Sequence, residues 1–370
     1  MRTIFAAAVL FAAALAALDA VAAEINDNGN SAATPVTLAV FGDWPYDQLL
    51  LDNATRLIDS VNGDRDVSVV MHVGDIHSGS MPCTSADILP PIAASNPGWN
   101  QKVYNQFQHF ARPVVYTPGD NEWSDCHKSK QKSSGAPLKE LAAVRALFFA
   151  RPGHTLGLVD KTVLSQAQYF DPAHPDDAQF VENVMWSDGK VVFVTINMPG
   201  GSNNDTAPWS APFADPAAQA SEVVARTGAD IRWLQDAFDV AADHHARAVV
   251  IGLQADLWDP EQTAAGGAGL DQYTPFVQAL ANAALAFARP VLLINGDTHL
   301  YEADQPLADP ASTTGQIHHT EAVPNLTRIT VQGSTNAPAG WLRLTIDARK
   351  AQPFAWTNVA YCTDPVTTCQ

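Results

Sequence analysis

Four times along this 370-residue chain an apolar run ends in Gly-Asp: "LAVFGD" at Asp43, "VVMHVGD" at Asp75, "VVYTPGD" at Asp120 and "VLLINGD" at Asp297. A fifth run, "VVIGLQAD", places Gln254 at the corresponding end. Gly and Asp are ordinary turn residues, so a single such end signifies little. Four aspartates brought to one sheet edge are harder to explain, because gathered carboxylates repel each other unless a cation lies between them. The chemistry this pattern points to is metal binding.

The elements that must position these residues follow from periodicity. "VTLAVFGD", "DVSVVMHVGD" and "VVYTPGD" read as buried strands, and "YDQLLLDNATRLIDSVN" and "NQKVYNQFQHFARP" between them read as helices. Alternation of strand and helix over residues 36–120 implies a parallel sheet with right-handed crossovers, whose ligands bind at the carboxyl ends of the strands. Asp43, Asp75 and Asp120 all fall there. Further on, "PLKELAAVRALFFA", "GADIRWLQDAFDVAADHH" and "FVQALANAALAFARP" read as helices. "VENVMWSDGKVVFVTINM" reads as a hairpin turned at "SDGK". "LTRITVQGS" and "GWLRLTID" read as two antiparallel strands. One large α/β domain accounts for all of this.

In this order the motifs resemble the calcineurin-like metallophosphoesterases, and among them the purple acid phosphatase-like branch. That family carries Asp after the first strand, Gly-Asp after the second, Gly-Asn-His-Asp/Glu after the third, a later lone His and a final Gly-His-x-His. The resemblance covers about residues 36–350. It implies a four-layer αββα sandwich, with two mixed sheets flanked by helices, and a metal-activated water that hydrolyses a phosphomonoester or phosphodiester.

Carried over residue by residue, the resemblance implies two metal positions. One has Asp43, Asp75 and His299, with His77 as a substitute for the imidazole missing at Pro45. The other has Asp75, Asp120, Gln254 and Asp297. Asp120 stands in the Asn slot, Gln254 in that of the lone His, and Asp297 in that of the first His of the final motif. Oxygen donors favour Mn²⁺ or Mg²⁺, with Ca²⁺ next, over Zn²⁺ or Fe. Ser78 fills the slot of the tyrosine that binds iron in purple phosphatases. Asn121 replaces the catalytic histidine in "TPGDNEW". It can hydrogen-bond a phosphoryl oxygen but cannot act as an acid, a loss of ~10²–10⁴ in rate. Tyr46, Asn197 and Asn203 are further candidate substrate contacts. Glu122 and His127 are candidate proton donors, with a structural role as the alternative. So many replaced ligands leave a second reading open: an impaired family member that binds a metal or ligand without turnover. Against decay, the replacements keep metal-capable oxygens.

Composition sets the setting. The formal charge is −18, which repels nucleic acid phosphates and argues against general nucleic acid binding. The expected partner is a small phosphorylated substrate. "MRTIFAAAVLFAAALAALDAVAAE" reads as a secretory signal over residues 1–23, with cleavage after Ala22 or Ala23, followed by a polar lead-in over 24–35. The mature chain is then expected in the periplasm or outside the cell, free of the membrane. Four cysteines in an exported chain suggest two disulfides. Of the three pairings, Cys362–Cys369 would close a loop in a C-terminal tail over 351–370, and Cys83–Cys126 would tie two loops that each follow a Gly-Asp.

Overall fold

The computed structural model describes residues 34–83, 98–205 and 207–370. The expected signal segment and nearly all of the lead-in lie outside them. Among these described residues, twelve strands form two sheets. The first has the order β12-β11-β1-β2-β3, with β1 Val36–Phe41, β2 Val67–His72, β3 Val114–Tyr116, β11 Ala339–Ile346 and β12 Phe354–Cys362. The second has the order β4-β5-β6-β7-β8-β10-β9, with β4 Leu164–Ser165, β5 Val184–Asp188, β6 Val191–Thr195, β7 Ala248–Gly252, β8 Val291–Asn295, β9 Glu302–Asp304 and β10 Leu326–Thr330. The longer helices are α1 Ala54–Gly63, α2 Trp99–Phe107, α3 Pro137–Phe148, α4 Pro216–Asp243 and α5 Thr274–Phe287.

Side-chain alternation divides the molecule into layers. Leu38 and Val40 of β1 face inward with Val69 and Met71 of β2, against Phe193, Val250, Leu292 and Ile294 of the second sheet. The intervening Ala39, Phe41 and Val70 face outward onto Leu57, Ile58 and Val61 of α1 and Val103 and Phe107 of α2. On the other sheet Val192, Val194, Val249, Ile251 and Leu293 face Trp233 and Leu234 of α4 and Phe276 and Leu280 of α5. Period-two strands between apolar helix faces therefore give helix, sheet, sheet, helix. This is the αββα sandwich expected from the sequence.

β1, β2 and β3 are parallel neighbours, as are β6, β7 and β8. The hairpin at "SDGK" forms between β5 and β6. Other expectations need correction. The two C-terminal strands do not pair with each other: β10 lies parallel to β8, while β11 crosses to the first sheet and pairs antiparallel with β1. The segment after residue 350 is no loose tail, because β12 pairs along the whole of β11. The first expected helix breaks at Asn53 into a short Gln48–Asp52 turn and α1. The helix read from "GADIRWLQDAF" begins at Pro216, where Asp215 caps the Ala218 N–H. Both expected disulfides are formed, Cys83–Cys126 and Cys362–Cys369.

Candidate metal centre

Asp43 follows β1, Asp75 follows β2, Asp120 follows β3, Gln254 follows β7 and Asp297 follows β8. These parallel strands end at one rim across both sheets, so the fold delivers all five side chains to one place. Asp43, Asp75, Asp297 and His299 have φ of 49°, 60°, 75° and 65°. Left-handed backbone at a residue with a Cβ costs on the order of 1–3 kcal/mol and gathers at functional sites. Here neighbouring loops enforce it, since Gly74 O accepts the Asp43 N–H and Asp75 O accepts the Trp44 N–H, each at 2.9 Å.

The recurrent glycines allow close approach. A Cβ on Gly119 would stand 2.0 Å from Asp75 Oδ1, and one on Gly296 would stand 2.6 Å from Asp43 Oδ2. The glycine of one Gly-Asp thus makes room for the carboxylate of another.

Among the described residues, Asp43, Asp75 and His299 place ligand atoms within 4.8 Å of one another. His299 Nε2 lies 3.2 Å from Asp43 Oδ1. Between the three sits the Tyr46 hydroxyl, at 3.0 Å from Asp43 Oδ1, 2.8 Å from Asp75 Oδ2 and 2.9 Å from His299 Nε2. It also receives Asn121 Nδ2 at 3.1 Å. One hydroxyl has one proton and two lone pairs, so it cannot satisfy four neighbours at once. Asp43 is left worst served: its Oδ2 is buried with no hydrogen-bond partner. An orphaned carboxylate oxygen beside a second carboxylate and an imidazole fits a cation.

Asp75 is differently placed. Its Oδ2 accepts from Tyr46, from Asn121 Nδ2 at 2.8 Å and from Gln254 Nε2 at 3.3 Å, and its Oδ1 accepts the Asn121 backbone N–H at 3.2 Å. Gln254 also donates to Asp120 Oδ1 at 3.2 Å. Its amide orientation is fixed, because Gly200 N–H donates to Gln254 Oε1 at 2.5 Å. Gln254 therefore offers the carboxylates a donor and not a ligand oxygen. Expected as a metal ligand, it is placed to position Asp75 and Asp120.

Electrostatics match a centre built for positive charge. Burial, then Asp120, pushes the Asp75 carboxyl well above its usual range, and the same two causes raise Asp297. Burial, then Asp125, pushes Asp120 up to about 7. Burial alone would lower His299, but the hydrogen bond and charge of Asp43 leave it raised.

The remaining expected residues fall elsewhere. His77 does not join the group: its Nδ1 contacts Ser78 O at 3.2 Å, and burial lowers it to about 4. Asn197 donates to Glu182 at 2.8 Å, and Asn203 donates to Thr227 and accepts from Arg226 at 2.6 Å. Both are turned into the scaffold. Glu122 is a staple whose Oε1 accepts from Ile76 N, Tyr116 Oη and Gly119 N, joining the second and third motifs. His72 joins the first and second: Gly74 N–H donates to its Nδ1, so its Nε2 carries the proton given to Trp44 O at 2.8 Å. His127 meets Ser210 instead of the carboxylates.

Sequence reasoning gave Tyr46 only as a candidate substrate contact and missed its central position. It also passed over Asp125, Lys128, Lys130 and Gln131. Gln131 donates to Asn121 Oδ1 at 3.0 Å, and Asp125 pairs with both lysines. The run "SDCHKSKQ" directly behind the third motif was the available signal.

No curated protein matches the chain. A solved structure described as GAP50, the anchor in the inner membrane complex of Plasmodium, is similar at 11% identity over 90% of each chain, with a TM-score of 0.43. The model of the calcineurin-like phosphoesterases matches residues 36–231, just over half of the sequence. By its sequence match, and with an αββα sandwich that carries the strand-end carboxylates, the chain belongs to the calcineurin-like phosphoesterase family.

Proposed function

We propose that this protein is an exported, metal-dependent phosphoesterase that hydrolyses a small phosphate ester. The observation that carries this reading is the convergence of Asp43, Asp75 and His299 within 4.8 Å around a buried carboxylate oxygen that has no partner. Four left-handed residues kept at the same rim support it, because drift would relieve such strain.

Asp43, Asp75 and His299 would hold one cation, and Asp75, Asp120 and Asp297 the other, with Asp75 shared. Carboxylates with one imidazole suit Mn²⁺ or Mg²⁺. When bound, the cations supply Lewis acidity toward a phosphoryl oxygen and acidify a water. This chain's own residues do the rest. Gln254 and Asn121 orient Asp75 through their amide nitrogens, and Tyr46, kept neutral by burial and by Asp43 and Asp75, orients it through its hydroxyl. Asn121 has no proton to give a leaving group, so esters with acidic leaving groups are the favoured substrates. The order of motifs supports placement near the purple acid phosphatase-like branch. Export is supported by the N-terminal sequence and by the two disulfides. Among the described residues no helix is long and apolar enough to cross a membrane.

One observation favours a second reading, a non-hydrolytic binding protein. Both oxygens of Asp75 are already served by protein donors, so the side chain is held in place without a cation. Loading metal-free protein with Mn²⁺ and following an aryl phosphate decides between the two. Metal-dependent release of the phenol supports the first, and stoichiometric metal without turnover supports the second.

A further inference from the structure

Lys128 and Lys130 stand beside the centre, and nothing in the family pattern accounts for them. Lys128 precedes the single turn Ser129–Gln131 and Lys130 lies within it. That turn is pinned from three sides. Gln131 donates to Asn121 Oδ1 at 3.0 Å, Cys126 is bonded to Cys83, and Ser134 Oγ accepts the Cys83 N–H at 2.7 Å. Between the lysines lies Asp125, whose side chain is only 3% exposed. Its Oδ1 pairs with Lys128 Nζ at 2.5 Å and its Oδ2 with Lys130 Nζ at 2.9 Å. One buried carboxylate thus gathers two ammonium groups whose lysine side chains are 26% and 52% exposed.

Both ammonium groups reach toward the metal centre. A Cβ on Gly201 would stand 3.4 Å from Lys128 Nζ and 3.6 Å from Asp120 Oδ2. A Cβ on Gly79 would stand 2.9 Å from Lys130 Nζ and 2.8 Å from Asn121 Oδ1. Each lysine therefore shares a small space with a residue of the third motif. Asp125 neutralises one of the two charges, which leaves one net positive charge at this side of the centre. Each ammonium has three N–H donors and faces a single Asp125 oxygen, so donors remain for another anion.

We infer that Lys128 and Lys130, held together by Asp125, form an oxyanion clamp that binds the phosphoryl oxygens of a dianionic phosphomonoester next to the metal centre. This rests on the phosphoesterase reading and narrows its substrate class. A phosphomonoester presents three non-bridging oxygens and nearly two charges at pH 8, whereas a diester presents two oxygens and one charge. Two ammonium groups answer the first better than the second.

The test is calorimetric binding of inorganic phosphate and of dimethyl phosphate at pH 8 to the Mn²⁺-loaded full chain. The Lys128→Met/Lys130→Met double variant and the Lys128→Arg/Lys130→Arg double variant are measured alongside. Wild type is expected to bind phosphate at least ~10-fold more tightly than dimethyl phosphate. The methionine pair should weaken phosphate ~10- to 100-fold, the loss of one or two charge-assisted hydrogen bonds, and erase the preference. The arginine pair should keep the preference. Metal content should stay at the wild-type value in all of them; Tm should fall in the methionine pair, which strands the buried Asp125 carboxylate, and stay near wild type in the arginine pair. The clamp is overturned if wild type binds no phosphate, if it binds both anions equally, or if the methionine pair retains wild-type affinity. Should the preference appear and vanish as expected while no ester is turned over, the clamp stands and the hydrolytic reading fails.

Discussion

Glu122 shows how one residue can be taken for chemistry when its work is structural. It follows Asn121 in the third motif, where a proton donor is missing. Yet its Oε1 accepts three donors from two motifs: Ile76 N at 3.1 Å, Tyr116 Oη at 2.8 Å and Gly119 N at 3.2 Å. All three reach the same oxygen, so the amide oxygen of a glutamine can replace it. Glu122→Gln is expected to keep most stability and activity. Glu122→Ala strands three buried donors, each worth ~1 kcal/mol or more, and should lower stability by about 3 kcal/mol and weaken metal binding. Denaturant unfolding of both variants checks this, and a Gln variant as damaged as the Ala variant would contradict the staple. The candidate aspartates were legible in the sequence because each closes an apolar run, a feature of local pattern. The contacts of Tyr46 and Gln254 were not legible because they depend on atoms from other strands. Gln254 matches a ligand slot in sequence, but Gly200 N–H, 54 positions away, takes its oxygen.

At the scale of elements, the loop from Asp120 to Gly135 is the least regular and the most closely tied part of the site. It is held by Gln131 on Asn121, by Asp125 on two lysines and by Cys83–Cys126, which spans 43 residues of sequence. Replacing both Cys83 and Cys126 by serine should lower stability by ~2–5 kcal/mol through loop entropy. It should also weaken phosphate binding more than replacement of Cys362 and Cys369, whose loop closes at the end of the edge strand β12 and does not join the second and third motifs. Equal effects of the two pairs on phosphate affinity would show that the first has no role in holding the site. Strand and helix types were readable from apolar period, since each strand alternates between two packed layers. Sheet membership was not. β10 and β11 carry similar apolar patterns, and only tertiary pairing sends one beside β8 and the other beside β1.

Over the whole molecule, the gathering of carboxylates links stability to pH. In the metal-free protein Asp120 titrates at about 7, and Asp75 and Asp297 titrate well above the usual range. Their unfolded values lie near 4. Between the two, the native state holds protons that the unfolded chain has released, so stability is highest at low pH and falls as pH rises through that window. Buried His72, His77 and His318, lowered to about 4, act in the opposite sense up to about pH 6.5, so the Tm of metal-free protein is expected to drop from pH 7 to pH 8. Asp230 and Asp236, raised by burial to about 8 and about 7, add to the slope away from the site. Saturating Mn²⁺ isolates the centre, because cations replace the protons and should raise Tm more at pH 8 than at pH 5. A metal-free Tm that climbs from pH 7 to pH 8 would show that the carboxylates are not crowded as described.

The central claim is that Asp75 is shared between two cations that the chain uses for hydrolysis. It is tested most directly by titrating Mn²⁺ into metal-free wild type and Asp75→Asn, then measuring aryl phosphate turnover on the same samples. Asparagine keeps the size of the side chain, removes one charge and turns an NH₂ group toward donors. Wild type is expected to bind two Mn²⁺ per chain with turnover, and the variant to lose at least one Mn²⁺ and all turnover. Full metal content with full activity in Asp75→Asn, or no Mn²⁺ bound by wild type, would contradict it.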